Sequence, residues 1–475
     1  MTAPGQAGFA PPAAPTAAAG RASLVLAVAC LCQLMVVLDI SVVNVALPSV
    51  RADLGFSADG LQWVVNAYTL TFGGLLLLGG RVADLFGHRL AALAGLGLFG
   101  VTSLLGGLAR TPVELVGARA LQGVAGALLL PVSLTLITVS FPDGPARHRA
   151  LATWAAVAGA GGALGVFLGG LLTQELDWRW VLFINVPIAT VGAVLAFRSV
   201  TSPAGRGGPR MDLAGALLVT VGLFSLVYAV AGTGRHPWES SQTLAPLTVA
   251  VVFLAGFVAY EQRVAAAPLV RFGLLRNRDL AGANIVILFI SSAQLGAFYL
   301  ASLYLQGVLG YSPLRTGLAF VPFSVAVIAG TFAARKLVPA RGPRLPLTAG
   351  LVIAAGGLGW FARLSPHGSF TGQVLGPSLI TGAGLGLCFV AVASAATGGV
   401  GPHEAGLASG LLNSCRQCGG SIGLAVLATI ANTRTGSRTT GTDHAFLVAA
   451  FLLAAGAVIA SLLLRRPGNR GAPAL

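Results

Sequence analysis

The stretch Val36-Val37-Leu38-Asp39-Ile40-Ser41-Val42-Val43-Asn44-Val45-Ala46-Leu47-Pro48 decides how this chain is read. It lies in an apolar run long enough to cross a bilayer, which takes about 20 residues. Inside that run stands one carboxylate, Asp39. A charged side chain at mid-bilayer costs about 2.5–3.5 kcal/mol on insertion scales, so it persists only facing protein or water and marks a functional site by default. Taking up and releasing a proton is the obvious use. The rival reading is a purely structural polar pair.

Outward from Asp39 the composition says the same. The chain has 475 residues, 55% hydrophobic and 9% charged, where a soluble domain carries about 25% charged residues. This points to an all-α, polytopic membrane protein. The solidly apolar segments of about 20 residues do not suit an outer-membrane barrel, whose strands alternate over about 10. Apolar windows recur at 24–48, 60–79, 90–108, 113–138, 150–173, 180–198, 212–233, 245–262, 281–305, 315–334, 345–363, 372–397, 404–431 and 443–464, which predicts 14 spans.

The net charge of +15 could suggest nucleic acid, but its distribution argues against such a partner. With the N-terminus placed inside, 19 of the 29 basic residues fall in inner loops and tails, 8 fall in outer loops, and Arg119 and Arg416 remain within spans. The positive-inside rule then puts both termini in the cytoplasm of a bacterial cell, with the chain in its cytoplasmic membrane. Residues 1–20, rich in Ala, Pro and Gly, are expected to form a disordered cytoplasmic tail, and 466–475 a short second one. The five cysteines all lie in apolar spans and read as packing residues; Cys415-x-x-Cys418 lacks the βαβ context of a redox site.

An internal repeat divides the spans. Gly87-His88-Arg89 follows span 2, and Gly342-Pro343-Arg344 follows span 10, 255 residues later. The same offset sets Gln294 opposite Asp39. Two six-helix bundles, 21–200 and 266–465, are therefore expected around two inserted helices in 201–265, an arrangement that suits a transporter rocking about a midplane site. In span 5, Gly161, Gly165 and Gly169 recur every four residues beside Gly162 and Gly170, forming a ridge another backbone can approach closely. Gly406 and Gly410 repeat the spacing in span 13.

Six segments, in order, resemble the major facilitator superfamily, and in particular its fourteen-span drug:proton antiporter branch. Leu38–Pro48 is similar to the branch's span 1 signature, and Gly80-Arg81-Val82-Ala83-Asp84-Leu85-Phe86-Gly87-His88-Arg89 to the superfamily's loop 2–3 signature. Arg119-Ala120-Leu121-Gln122-Gly123 resembles the span 4 signature, and Trp178-Arg179-Trp180 with Asn185-Val186-Pro187 the entry to span 6. Leu305–Pro313 and Gly406-Leu407-Ala408-Ser409-Gly410 extend the match, which covers about 24–464. The span 5 antiporter motif departs from the pattern, with Gly165-Val166 where the family has Gly-Pro.

The resemblance implies a major facilitator fold, a proton-transfer role for Arg119, and a conformational latch built from Gly80, Asp84, Gly87 and Arg89. Gly161, Gly165, Gly169 and Gly170 would form the antiporter helix-packing motif. Asp39 lies ~14 Å and Arg119 ~9 Å from the outer ends of their spans at 1.5 Å per residue, so the two are expected to share one proton-coupling site. As the one deep carboxylate, Asp39 could also bind a cationic drug in turn with the proton. For the substrate pocket the candidates are Gln33, Asn44, Trp63, Asn66, Tyr68, Gln294, Phe298, Tyr299 and Gln306, polar groups and aromatic walls suited to an amphipathic molecule. Each could equally be packing. Arg416 is open to a structural or a functional reading; Glu114 and Glu404 suit interfacial solvation.

The expected function is proton-driven export of a hydrophobic or amphipathic drug or antibiotic by alternating access. A single lysine, Lys336, followed by Leu337 excludes a Gly-x-x-x-x-Gly-Lys-Ser/Thr loop, so no nucleotide cofactor is expected and a proton gradient supplies the energy. Proton-coupled uptake of a small metabolite is the alternative. An intramembrane enzyme would need clustered His, Asp, Glu or Cys, and the six histidines are scattered at span ends and loops, with no metal spacing. A monomer in contact with substrate, protons and lipid is expected. Substrate identity, and self-protection against general detoxification, stay open.

Overall fold

A computed structural model describes residues 15–141, 144–200, 212–233, 236–266, 268–365, 368–398, 400, 405–432 and 440–465. Fourteen long helices run through it: α1 Pro15–Leu54, α2 Trp63–Phe86, α3 His88–Gly107, α4 Pro112–Ser140, α5 Pro145–Glu175, α6 Asn185–Ser199, α7 Leu213–Gly232, α8 Ser241–Arg263, α9 Arg278–Gly307, α10 Val321–Arg341, α11 Arg344–Phe361, α12 Leu375–Thr397, α13 Ala405–Asn432 and α14 Thr440–Leu463. Helices satisfy every backbone polar group within the segment, which lipid demands. With the short helices Trp180–Phe183 and Pro313–Ala319 joined to α6 and α10, thirteen of these elements are long and apolar enough, among the described residues, to cross a membrane. The fourteenth, α13, has the length, but Asn413, Ser414, Arg416 and Gln417 dilute its apolar character. Its ends match the window expected at 404–431.

Local chemistry sets the boundaries. Thr111 and Ser312 cap their helices by accepting from Glu114 N and Arg315 N, with Pro112 and Pro313 at the first helical position. Glu114 also accepts from the Arg110 amide at 2.7 Å, and its carboxylate in the first turn suits the positive end of the helix dipole. The helix α1 begins at Pro15, so the end of the expected disordered tail is helical. Ala17, Ala18 and Ala19 are the strongest helix formers and extend it. Residues 1–14, the tail 466–475 and 201–211 lie outside the described residues.

Helix packing repeats after eight helices. In the first six, α1 packs on α5 and α6, α2 on α4, and α3 on α4 and α6; in the last six, α9 packs on α13 and α14, α10 on α12, and α11 on α12 and α14. The helices α7 and α8 pack on each other, and α7 lies against α2 and α13. The two six-helix groups meet where α2 lies on α13 and where α5 meets the short helix Pro313–Ala319 and α10.

Glycine permits the closest of these approaches. A Cβ at Gly165 would sit 2.9 Å from the Leu38 carbonyl oxygen, and one at Gly169 2.6 Å from that of Val42, so the ridge on α5 seats the backbone of α1. Gly170 faces the other group: its Cβ would stand 2.5 Å from Pro313 O. The counterpart ridge in the second half is Gly419 with Gly423 against α9, where a Cβ at Gly419 would meet Leu288 O at 2.6 Å. Of the expected pair Gly406 and Gly410, Gly410 faces Leu77 of α2 instead. Despite Val166 in the place of proline, α5 runs unbroken from Pro145 to Glu175.

Cross-group hydrogen bonds cluster at the end of the bundle remote from the chain termini, called the distal end below. Ser302 Oγ donates to Asn44 O at 3.1 Å and Gln306 Nε2 to Val45 O at 2.9 Å. Asn432 Nδ2 donates to Asp59 Oδ1 at 3.1 Å, Leu314 N to Gln174 Oε1 at 3.3 Å, and the Thr69 and Ser421 hydroxyls bond to each other. This conformation is tied shut distally.

Candidate functional site: a buried ion pair in the first helix bundle

Asp39 and Arg119 meet inside the first six-helix group. Arg119 Nη1 donates to Asp39 Oδ2 at 2.6 Å, and the two side chains are 1% and 0% exposed. Neither faces lipid. An apolar interior cannot hold a lone charge, and breaking such a pair from one side costs about 3–5 kcal/mol. Further contacts from four helices complete the network. Gln122 Nε2 and Asn185 Nδ2 each donate to Asp39 Oδ1 at 3.0 Å. Gln122 also accepts from Arg119 Nη1 at 2.6 Å and donates to Ser103 Oγ at 2.7 Å. Arg119 Nε donates to Val64 O at 3.0 Å, and the guanidinium lies 4.4 Å over the Tyr68 ring.

Asp39 thus accepts on both oxygens and has no open side. Its suggested alternation between proton and cationic drug has no room here, because Arg119, Gln122 and Asn185 already occupy the carboxylate. Sequence reasoning quoted Gln122 and Asn185 only as parts of signatures. A usable signal was present: Gln122 stands one helical turn from Arg119 on the same face, and Asn185 is a lone amide opening an apolar span.

The other candidates disperse. Trp63 stacks on Phe224 of α7 (ring centroids 6.1 Å apart, planes at 13°) and touches Tyr228, so it anchors the inserted helices. Asn44 turns its amide back to Ile40 O at 2.7 Å, and Gln306 is spent on the distal closure. Tyr68 lies under Arg119, and Tyr299 is buried in the core. Gln33 and Asn66 are buried with amide atoms that have no partner. Gln294 and Phe298 line a cavity together with Phe320, Phe323, Leu358 and Phe446. One pocket lined by all nine is therefore not what the chain forms, because the helices turn these side chains toward different neighbours.

That cavity sits at a telling place. Gln294 and Leu358 stand 255 residues after Asp39 and Ser103. Where the first half holds a charged network, the second holds an aromatic-lined space, with Phe298 stacked on Phe320 at 4.5 Å.

The expected latch also divides. Gly87 has φ 90° and turns the chain between α2 and α3, a conformation glycine adopts freely. Gly80 lies within α2, its nearest neighbour to a Cβ being Pro131 at 3.7 Å, so it serves no turn. Arg89 Nη2 donates to Phe197 O at 2.8 Å and its guanidinium lies 4.6 Å over the Phe197 ring, capping α6. The Asp84 side chain lies outside the described residues. At the distal end, Trp178 Nε1 and Arg179 both bind Asp53 Oδ2, at 3.0 and 2.8 Å, fixing the start of the sixth span to the end of α1.

The family model described as Major Facilitator Superfamily matches residues 29–424. The chain belongs to this superfamily. It is 44% identical over 429 residues to the cephamycin export protein CmcT of Amycolatopsis lactamdurans, covering 90% of this chain and 87% of that one. It is 42% identical over 402 residues to the puromycin resistance protein pur8 of Streptomyces alboniger, covering 84% and 79%. Identity to the tetracenomycin C resistance and export protein of Streptomyces glaucescens is 32% over 404 residues, covering 85% and 74%. Among solved structures, a mutant of the nucleoside transporter NupG aligns with TM-score 0.63 and 14% identity over 93% of this chain and 100% of that one. The human organic anion transporter MFSD10 aligns with TM-score 0.63 and 15% identity over 92% and 99%. These two likenesses establish the fold; the family match and the helical spans make the chain a multi-pass membrane protein.

Proposed function

We propose that this facilitator exports a hydrophobic or amphipathic antibiotic-like molecule from the cytoplasm by alternating access. The observation that carries this reading is the similarity to export and resistance proteins along 84–90% of the chain. The distal closure agrees with one limb of such a cycle: with the termini in the cytoplasm of a bacterial cell, the distal end faces outward and the cargo enters from inside. The protein acts on transport alone, not as an enzyme, as a monomer in the cytoplasmic membrane.

Proton coupling would run through Asp39 and Arg119. Protonating Asp39 removes the attraction that holds Arg119 Nη1 at 2.6 Å, and the freed guanidinium keeps Gln122 and Val64 O as partners. Because α1 carries Asp39 and also seats the glycine ridge of α5, a change at the pair reaches the contact between the halves through one rigid helix. The supporting observation is the complete burial of both charges in a network drawn from several helices. The test is a susceptibility panel in an efflux-deficient host together with everted vesicles. Energised vesicles should accumulate the exported compound and lose it on collapse of the proton gradient. Protection without gradient dependence would refute the coupling, and no protection against any compound would refute export.

A further inference from the structure

The cross-membrane charges do not balance. Asp39 and Arg119 neutralise each other, whereas Arg416, twelfth of the 28 residues of α13, has no carboxylate, carbonyl or ring partner among the described residues. It lies roughly 17 Å along the helix from Ala405 at 1.5 Å per residue, beyond the reach of a side chain that would snorkel to the interface.

Its surroundings follow from the faces of α13. Gly419 and Gly423 lie on α9, of the second half, while Gly410, Gln417 and Ser421 lie on α2, of the first. Ser409, Asn413 and Arg416, at i, i+4 and i+7, form a strip between those two faces. All three are half-exposed, whereas Leu412, Ser414, Gln417, Gly419, Ser421 and Gly423 on the packed faces are buried. The strip therefore opens on the gap between the halves.

Arg416 offers five N–H groups to that gap. A guanidinium in a partly dry cleft is stabilised by a planar oxyanion that accepts two of its N–H groups at once. A cationic guest is repelled by Arg416 and finds no free carboxylate at Asp39.

We propose that Arg416 is the anion-recognition residue of the transport cleft and that the cargo is an amphipathic molecule bearing a carboxylate. This rests on the export reading and narrows it to a chemical class.

The test uses the full-length protein in nanodiscs and three fluorescent probes of one skeleton: pyrenebutyric acid, its methyl ester and the corresponding amine. Wild type is expected to bind the acid at least tenfold more tightly than the ester, and the amine most weakly. Arg416→Gln should remove the preference for acid while leaving ester binding within about twofold, and Arg416→Lys should keep part of it. If Arg416→Gln does not fold, the acid-to-ester ratios of wild type and Arg416→Lys decide. Acid binding absent or no tighter than the ester, or a preference that survives Arg416→Gln, overturns the proposal. Gradient-driven uptake of the ester by everted vesicles keeps the export reading intact in that event; failure of uptake for all three probes, with acid binding intact, would count against export and not against anion recognition.

Discussion

Arg89 and Arg344 stand 255 residues apart and make the same bond. Arg89 Nη2 donates to Phe197 O near the end of α6, and Arg344 Nη2 to Ser461 O near the end of α14. Each follows a glycine of positive φ, Gly87 at 90° and Gly342 at 70°. The last carbonyls of a helix have no partner within it, and a guanidinium there also meets the negative end of the helix dipole. The repeat is thus preserved as a capping device.

Removing either cap should weaken its own half. Arg89→Ala and Arg344→Ala are each expected to cost about 1–2 kcal/mol, at or below the low end for bonds to charged groups because both side chains are partly exposed to solvent, and to lower the melting temperature. A transport defect in Arg89→Ala with unchanged melting would restore the latch reading in place of the cap.

Asp39→Ala should destabilise the protein by about 3–5 kcal/mol, because it leaves Arg119 buried and unpaired. Asp39→Asn keeps the shape and should cost less while abolishing gradient-driven export. Detergent-solubilised wild type is expected to release protons when substrate is added, and Asp39→Asn to release none. Equal release from both would remove Asp39 from the coupling.

Asn185→Ala tests a residue identified from coordinates. It deletes one 3.0 Å donor to Asp39 Oδ1, so a loss of about 1.5–3 kcal/mol is expected for a bond to a charged group. A shift in the pH dependence of export should accompany it, since one donor that holds the carboxylate is gone. An unaltered pH profile would make Asn185 purely structural.

Glycine substitutions should separate by position. Gly169→Ala places a Cβ 2.6 Å from Val42 O, whereas Gly117→Ala on α4 meets nothing within 4 Å. Overpacking costs about 1–3 kcal/mol, so the first should melt lower and the second should match wild type or exceed it. Thermal unfolding of the two side by side is the measurement.

The distal closure can be locked. In a cysteine-free background, Asp59→Cys with Asn432→Cys replaces two side chains hydrogen-bonded at 3.1 Å. A short bifunctional maleimide should join them and stop export while leaving substrate binding intact. Continued export by fully cross-linked protein would show that these ends need not part.

Much was legible without coordinates. Thirteen of the spans could be read from apolar length alone, since a lipid-spanning segment has one way to satisfy its backbone, and the 255-residue offset announced the repeat. Asp39 and Arg119 announced themselves because charge is so scarce in these spans. Gly165 and Gly169 were visible as a ridge, since a fourfold glycine spacing on a helix has few other uses.

What a side chain faces was another matter. Trp63 looked like a pocket wall and is an anchor for α7; Arg89 looked like a latch and caps α6; Gln306 looked like a ligand and closes the distal end. Sequence by itself determined the number of spans, the repeat and the depth of each charge, because these depend on hydrophobicity and position along one helix. Only the tertiary structure decided that Asp39 is already fully occupied while Arg416 has no partner among the described residues, because partnership depends on how helices far apart in sequence are rotated against one another.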